Sequence, residues 1–147
     1  MRKSWDEYFM GMARLVADRS TCVRMKRGAL IVKDRRVLTT GYNGVPVGIR
    51  HCIHGNCLRE KLNVPSGERH ELCRGIHAEQ NAILQGALHG VSVRDGMLYC
   101  TTFPCGICAK MIINVGIVEV CYEEEYNDVI GFDLLKESGI RIRKLEV

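Results

Sequence analysis

At 147 residues the chain has the length of one ordinary domain, residues 1–147, enough to bury most of its apolar surface without help. Hydrophobic residues at 46% and charged residues at 26% exclude a disordered chain, and no apolar run approaches the roughly 20 residues of a membrane span. The formal charge of +4, from 21 basic and 17 acidic residues, is small for a protein that grips a nucleic acid polymer and suits a small anionic ligand at least as well.

The opening residues, MRKSWDEYF, turn acidic and aromatic where a secretory leader needs its apolar run, so a cytoplasmic protein is expected. Ser4 and Glu7 form a capping-box pattern. Trp5, Tyr8, Phe9, Met12, Leu15 and Val16 recur at helical spacing, which predicts one helix ending near Ser20 with these residues as its apolar stripe. In GALIVKDRRVLTTGYNG two apolar runs flank a charged turn, the pattern of an antiparallel hairpin, and GYNGVPVG continues it as a turn-rich loop. From Val45 to Gly75 there is no sustained period. A loop of that length inside a compact domain is uncommon and needs an anchor.

Beyond the loop, IHAEQNAILQGALHG reads as a helix with Ile76, Ile83, Leu84, Ala87 and Leu88 as its apolar residues and Gly90 as its stop. The remainder alternates: strand MLYCTT, helix from about Cys105 to Asn114, strand IVEVCY, helix from about Asp128 to Ser138, strand IRIRKLEV. Strands separated by single helices specify crossover connections, so the last three strands should run parallel. The predicted fold is α/β, three layers in the order α/β/α, with an N-terminal hairpin opening a five-stranded mixed sheet.

Two fragments carry the chemistry: HAE, His77 to Glu79, and PCGIC, Pro104 to Cys108. Cys105 and Cys108 fall on one face of a helix's first turn, where free backbone N–H groups and the macrodipole favour thiolates. His77 opens another helix and offers a third ligand. Three protein ligands leave the fourth position of a tetrahedral zinc to water, which marks a catalytic site. Two thiolates offset the metal's charge, so a base has to help ionise the water, and Glu79 is the only acid in either fragment. Two residues beyond His77, it does not share that residue's helix face. It is placed to take the water's proton, pass it to a ring nitrogen and later protonate departing ammonia. The plain alternative is a pair of core cysteines with Glu79 as a solvated acid. The order of the fragments, each at a helix start and with Pro104 before the first cysteine, favours the metal. This pattern is that of the zinc nucleobase deaminases.

With HAEQNAIL and TTFPCGICAKMIINVGI, the segments SWDEYFMGMARLVADRSTC and GYNGVPVG make nearly the whole chain resemble the deoxycytidylate deaminases of the cytidine deaminase-like superfamily. The resemblance implies zinc-dependent hydrolysis of dCMP to dUMP and ammonia, supplying dUMP for thymidylate synthesis. It further implies a homo-oligomer, a hexamer, activated by dCTP and inhibited by dTTP. It places Asn43 on the substrate and Phe103 on the wall of the base, with Ala78 grouped as a further substrate contact. For Asn43 a simple Asn-Gly turn is the competing role. Two departures stand out. Cys100 replaces a valine and is read as a small core residue. Arg27 replaces an apolar residue and joins Arg24 and Lys26 in a basic cluster; Arg24 and Lys26 are the expected phosphate contacts, against a solvated strand entry that binds nothing.

Two other functions keep part of this pattern. Deamination of a base in RNA or DNA needs an unpaired or flipped base, and the low charge and few aromatic residues speak against it. A non-catalytic zinc module would have no use for Glu79. The eight cysteines are better read as metal ligands and core residues than as disulfides in a cytosolic chain. Cys100 and Cys121 fall on apolar strands. Cys22, Cys52, Cys57 and Cys73 remain, enough to close a tetrahedral structural zinc that would anchor the long loop, with His70 as the alternate ligand and His51 and His54 nearby. Some deaminases of the family carry a second zinc in the corresponding loop.

Overall fold

The structure, a computed structural model, describes residues 1–146, and of His54 only the backbone. Its order is α1 (Trp5–Ala17), β1 (Gly28–Lys33), β2 (Arg36–Tyr42), the short α2 (Leu58–Lys61), α3 (Ala78–His89), β3 (Met97–Thr102), α4 (Gly106–Asn114), β4 (Glu119–Glu124), α5 (Val129–Ser138) and β5 (Arg141–Lys144). The strands form one sheet in the order β2-β1-β3-β4-β5. β1 is antiparallel to both β2 and β3, and β3, β4 and β5 are parallel. The expected mixed sheet, with its opening hairpin and three parallel strands, is therefore present. Asp34 and Arg35 turn the hairpin, both at positive φ (51° and 60°), as a two-residue turn between right-twisted strands requires.

The connections through α4 and α5 both move outward along the sheet, so right-handed crossovers put both helices on one face. The core agrees. Ala82, Ala109, Ile112 and Leu135 pack with Ile31, Leu98, Cys100 and Val120 on that side, while Phe9, Met10 and Ala13 pack with Leu30, Val32, Tyr99 and Cys121 on the other. Cys100 and Cys121 are both fully buried, as expected of core residues.

The predicted stripe of α1 is rotated. Phe9, Met10, Ala13 and Ala17 face the sheet, whereas Trp5, Tyr8 and Leu15 are exposed. Gly28 explains the choice: a Cβ there would lie 2.1 Å from the Ala13 carbonyl oxygen, so α1 seats its small residues on the strand. The helix also stops at Ala17, short of Ser20. The same correction applies to α3, whose buried residues are Ala78, Glu79, Ala82 and Gly86, with Leu84 and Leu88 in solvent. The last strand is shorter than IRIRKLEV, and Val147 lies outside the described residues.

The 45–75 segment is an excursion closed at its base. Gly44 and Ile76 exchange two backbone hydrogen bonds, of 3.1 and 2.7 Å, so the loop leaves and returns at one point beside the start of α3. Inside it are 3-10 turns at Cys52–His54 and His70–Leu72 and the single turn of α2. No described helix is long and apolar enough to cross a membrane.

Candidate active site

His77 is the N-cap of α3 and Cys105 the N-cap of α4. Both precede helices whose first turns are held by side chains. Gln80 Oε1 accepts from the His77 N–H at 2.8 Å. Asp128, the N-cap of α5, accepts from Ile130 and Gly131 and also from the Gly106 N–H at 2.8 Å, so one carboxylate fixes the starts of α4 and α5 together. The geometry brings the two sequence fragments to one point. His77 Nδ1 lies 3.2 Å from Cys108 Sγ and 3.4 Å from Cys105 Sγ, and the three donor atoms are within 4.8 Å of one another.

These residues fit a zinc ion. Bonds of about 2.1 Å to nitrogen and 2.3 Å to sulfur in a tetrahedron separate the two donors by about 3.6 Å, close to the spacing found. The charge state fits as well. Hydrogen bonding from Cys108, and then from His77, brings the Cys105 thiol down to about 4, against the opposing effect of burial. The hydrogen bond to Cys105 in turn raises His77 above its ordinary value. Cys108, sharing its proton with Cys105 in a buried place, is pushed up. A thiolate already stabilised by its neighbours is the form a cation selects.

Glu79 stands beside this group with 5% of its surface exposed. Burial raises its carboxyl above the usual carboxylate range, the shift expected of a group that must both accept and return a proton near neutral pH.

These residues open on a cavity of about 340 Å³, within the size range of small-molecule sites. Phe103 lines it at 4% exposure, braced edge-on by Tyr122 at 4.8 Å. Asn43 lines it too, but its amide is already engaged: Oδ1 accepts from the Arg27 N–H and Nδ2 donates to the Met25 carbonyl, both at 2.8 Å. The turn role and the binding position thus coincide in one residue. The Ala78 side chain is packed in the core at 1% exposure, which leaves only its backbone for the contact expected of it.

The basic cluster divides. Arg24 and Arg27 line the cavity, while Lys26 lines a separate surface depression with Arg14, Glu123 and Lys144, so Lys26 is not placed to meet a ligand beside Glu79. His70 is also redirected. It faces the cavity, its Nε2 is 2.7 Å from the Tyr126 hydroxyl, and its ring is 5.6 Å from that of His77, so it belongs to the site around Glu79 rather than to the loop cysteines.

Among the described residues only His77, Cys105 and Cys108 gather three donor atoms within 4.8 Å, and Cys22, Cys52, Cys57 and Cys73 do not form so tight a group. Burial, and then the thiols of Cys57, Cys22 and Cys73, push the Cys52 thiol up.

Sequence reasoning missed Arg59, Tyr126, Ser66 and Gly67, all on the cavity wall. Arg59 sits in LREK, which reads as a solvated turn; only the Pro-Ser-Gly that follows signals a tight fold-back.

Residues 3–124 match the family described as the cytidine and deoxycytidylate deaminase zinc-binding region. The chain is 41% identical over 145 residues to the deoxycytidylate deaminase of Saccharomyces cerevisiae, covering 98% of this chain and 46% of that protein. It thus spans under half the length of the yeast relative. To the deoxycytidylate deaminase of Mycobacterium phage D29 it is 40% identical over 129 residues, covering 84% of this chain and 98% of the relative. The dCMP deaminase of cyanophage S-TIM5, solved in complex with dCMP and dUMP, superposes with a TM-score of 0.81 at 34% identity over 99% of both chains. The sheet order, the two helix-start fragments and the match over most of the length agree, and the chain belongs to the cytidine and deoxycytidylate deaminase family.

Proposed function

We propose that this protein is a zinc-dependent deaminase that hydrolyses dCMP to dUMP and ammonia, working as one domain in the cytoplasm. The observation that carries the reading is the buried Glu79 on the wall of the cavity, beside the His77, Cys105 and Cys108 donor group. The names of the S. cerevisiae and phage D29 relatives, and the dCMP and dUMP bound to the cyanophage enzyme, support the substrate. All eight cysteines are free thiols, which suits a reducing compartment.

His77, Cys105 and Cys108 would hold the zinc, and when bound the metal supplies Lewis-acid activation of water at neutral pH. Glu79 takes a proton from that water and delivers it to the ring nitrogen next to the reacting carbon. That carbon gains the water's oxygen and loses its amino nitrogen. Glu79 then passes the second proton to the leaving group, which departs as ammonia. Phe103 covers one face of the base and keeps bulk water from it. Asn43 orients the sugar from the rim while its hydrogen bonds to residues 25 and 27 keep the rim in place.

Ammonia release from a panel of deoxycytidine, cytidine, CMP, dCMP and dCTP tests this. The expected result is preference for dCMP, with Glu79→Gln retaining zinc and losing turnover roughly 100- to 10,000-fold. Silence on every cytosine nucleotide, or turnover that survives in Glu79→Gln, refutes it.

We also infer a second, structural zinc held by Cys22, Cys52, Cys57 and Cys73. Support comes from the influence of the three other thiols on Cys52 and from the Gly75 N–H, which donates to Cys73 Sγ at 3.4 Å and orients it.

A further inference from the structure

The cavity has walls from two parts of the chain. Ser66, Gly67 and His70 come from the 45–75 loop, whereas Phe103, Cys105 and Tyr126 come from the segments that follow β3 and β4. The ties of the loop are one-sided. Thr21 Oγ1 meets His51 Nδ1 at 2.9 Å, and Arg24 pairs with Glu60 at 3.3 Å and donates to the Val64 carbonyl at 2.7 Å. With the Gly44 and Ile76 bridge, these hold the loop to the segment before β1 and to the start of α3. Among the described residues a single hydrogen bond crosses to the other wall: the Tyr126 hydroxyl lies 2.7 Å from His70 Nε2. Either ring tautomer makes this bond, because a hydroxyl both donates and accepts.

Tyr126 is itself held in place. The Arg27 guanidinium lies 5.0 Å from its ring centroid, within cation–π range, so the residue that replaces an apolar side chain at this position has a packing role. A Cβ on Gly67 would stand 3.8 Å from the Tyr126 hydroxyl, so the loop backbone passes directly beside it. On the inner side the His70 ring meets that of His77 edge-on at 5.6 Å. Glu79 and Phe103 are 5% and 4% exposed, whereas His70 and Tyr126 are partly exposed, which puts the pair between the reacting groups and solvent. A lone neutral hydrogen bond at such a rim is weak enough to open and reclose within a turnover, unlike the ladder of the sheet.

We propose that His70 is a positioning residue that, through the Tyr126 hydroxyl, clasps the 45–75 loop to the β4–α5 connection, and that this clasp opens for dCMP to enter and for dUMP to leave. The inference rests on the proposed deamination of dCMP. It gives the long loop a second purpose besides carrying cavity residues: hinged at Gly44 and Ile76, it is one jaw of the cavity, and Tyr126 is the catch on the other. The clasp is closed without a ligand, so it acts on the rates of entry and exit; removing it raises both together and leaves the equilibrium between them in place.

Binding kinetics of dUMP to the zinc-loaded protein, read from NMR exchange broadening of the nucleotide, test this. Loss of one hydrogen bond should speed both association and dissociation about 5-fold in His70→Ala, and equally in Tyr126→Phe, with Kd unchanged within about twofold. His70→Gln, whose terminal amide reaches about as far as Nε2, should stay within about twofold of the wild-type rates. The double variant should be no faster than either single one, because both remove the same bond. Accelerations that multiply to about 25-fold in the double variant, or a Kd that rises while association stays constant, overturn the proposal, since a merely structural role gives those results. If His70→Ala does not fold, Tyr126→Phe decides, because it keeps the ring and its stacking on Arg27. A readout without ligand is hydrogen exchange of the loop amides in the free protein. It should quicken about 5-fold across residues 58–72 in Tyr126→Phe and stay constant in α4; unchanged exchange in the loop overturns the clasp. A protein that shows the expected exchange but deaminates nothing would refute the proposed reaction and leave the clasp standing.

Discussion

The cysteines of the loop and those of α4 differ in what surrounds their sulfur atoms. Cys105 is brought down to about 4 by the hydrogen bonds of Cys108 and His77, a neutral donor and a base in fixed positions. Among the described residues no such donor reaches Cys52; burial and three neighbouring thiols raise it. A cation held by Cys52 and its neighbours would offset that cost, and its binding would add directly to folding free energy. Metal analysis of purified protein is expected to give two zinc ions per chain, falling to one in Cys52→Ser, with lower thermal stability and the His77 site still loaded. A single zinc in the wild type, unchanged by Cys52→Ser, rules the second site out. At this scale the legible residues were those whose type and spacing both matter, as in HAE and PCGIC. Arg59 was illegible because its place on the cavity wall depends on how the 45–75 loop folds back, and a sequence does not display that. His70 looked like a spare ligand on proximity in the chain alone, and the Tyr126 hydroxyl claims it from a distant strand end.

Helices deliver the reactive groups, and their placement depends on how closely they approach the sheet. A Cβ on Gly41 of β2 would lie 2.3 Å from the Ala78 carbonyl oxygen and 2.4 Å from the Ala82 nitrogen, so the first turns of α3 rest on bare backbone. Gly41→Ala must therefore push α3 outward, and with it His77 and Glu79. Overpacking of this kind costs about 1–3 kcal/mol, and here the contact is backbone on both sides, which cannot rotate away. The expected outcome is a lower melting temperature together with a drop in kcat of at least about 10-fold, since an ångström at the reacting atoms matters. Wild-type stability and turnover in Gly41→Ala would show that the approach tolerates a methyl group. The same closeness explains why element existence was legible while facing was not. On α1 and α3 apolar residues surround much of the helix, and it is the small residues, Ala13, Ala17, Ala78 and Ala82, that the strands select. Large apolar side chains dominate a periodicity reading, but the tightest packing here belongs to alanine and glycine.

At the scale of the whole molecule, the termini are tied together by charge. Asp6 in α1 accepts from Tyr99 of β3 at 2.6 Å and from Arg143 of β5 at 2.8 and 3.0 Å, and Arg143 reaches on to the buried Glu119 of β4 at 3.0 Å. One helix and three strands, separated by most of the chain, meet in this network on the face away from the cavity. Nothing in the sequence pairs Asp6 with Arg143, because the contact exists only after the parallel strands have formed. The hydrogen bond from Arg143, and after it that from Tyr99, hold the Asp6 carboxyl below its ordinary value of 3.8. The ionised form therefore binds the folded state better than the unfolded one. Its contribution is complete above about pH 3.8 and is lost as the pH falls through the lower, folded value. Asp6→Asn keeps the shape and removes the titration, so it should be less stable than the wild type at pH 7, with the difference shrinking as urea unfolding is repeated at successively lower pH below about 4. Other carboxylates lower both proteins alike and cancel from the difference. A gap that stays constant down to about pH 2.5 would mean that Asp6 contributes through shape and hydrogen bonding without its charge, and the electrostatic tie between α1 and β5 would have to be given up.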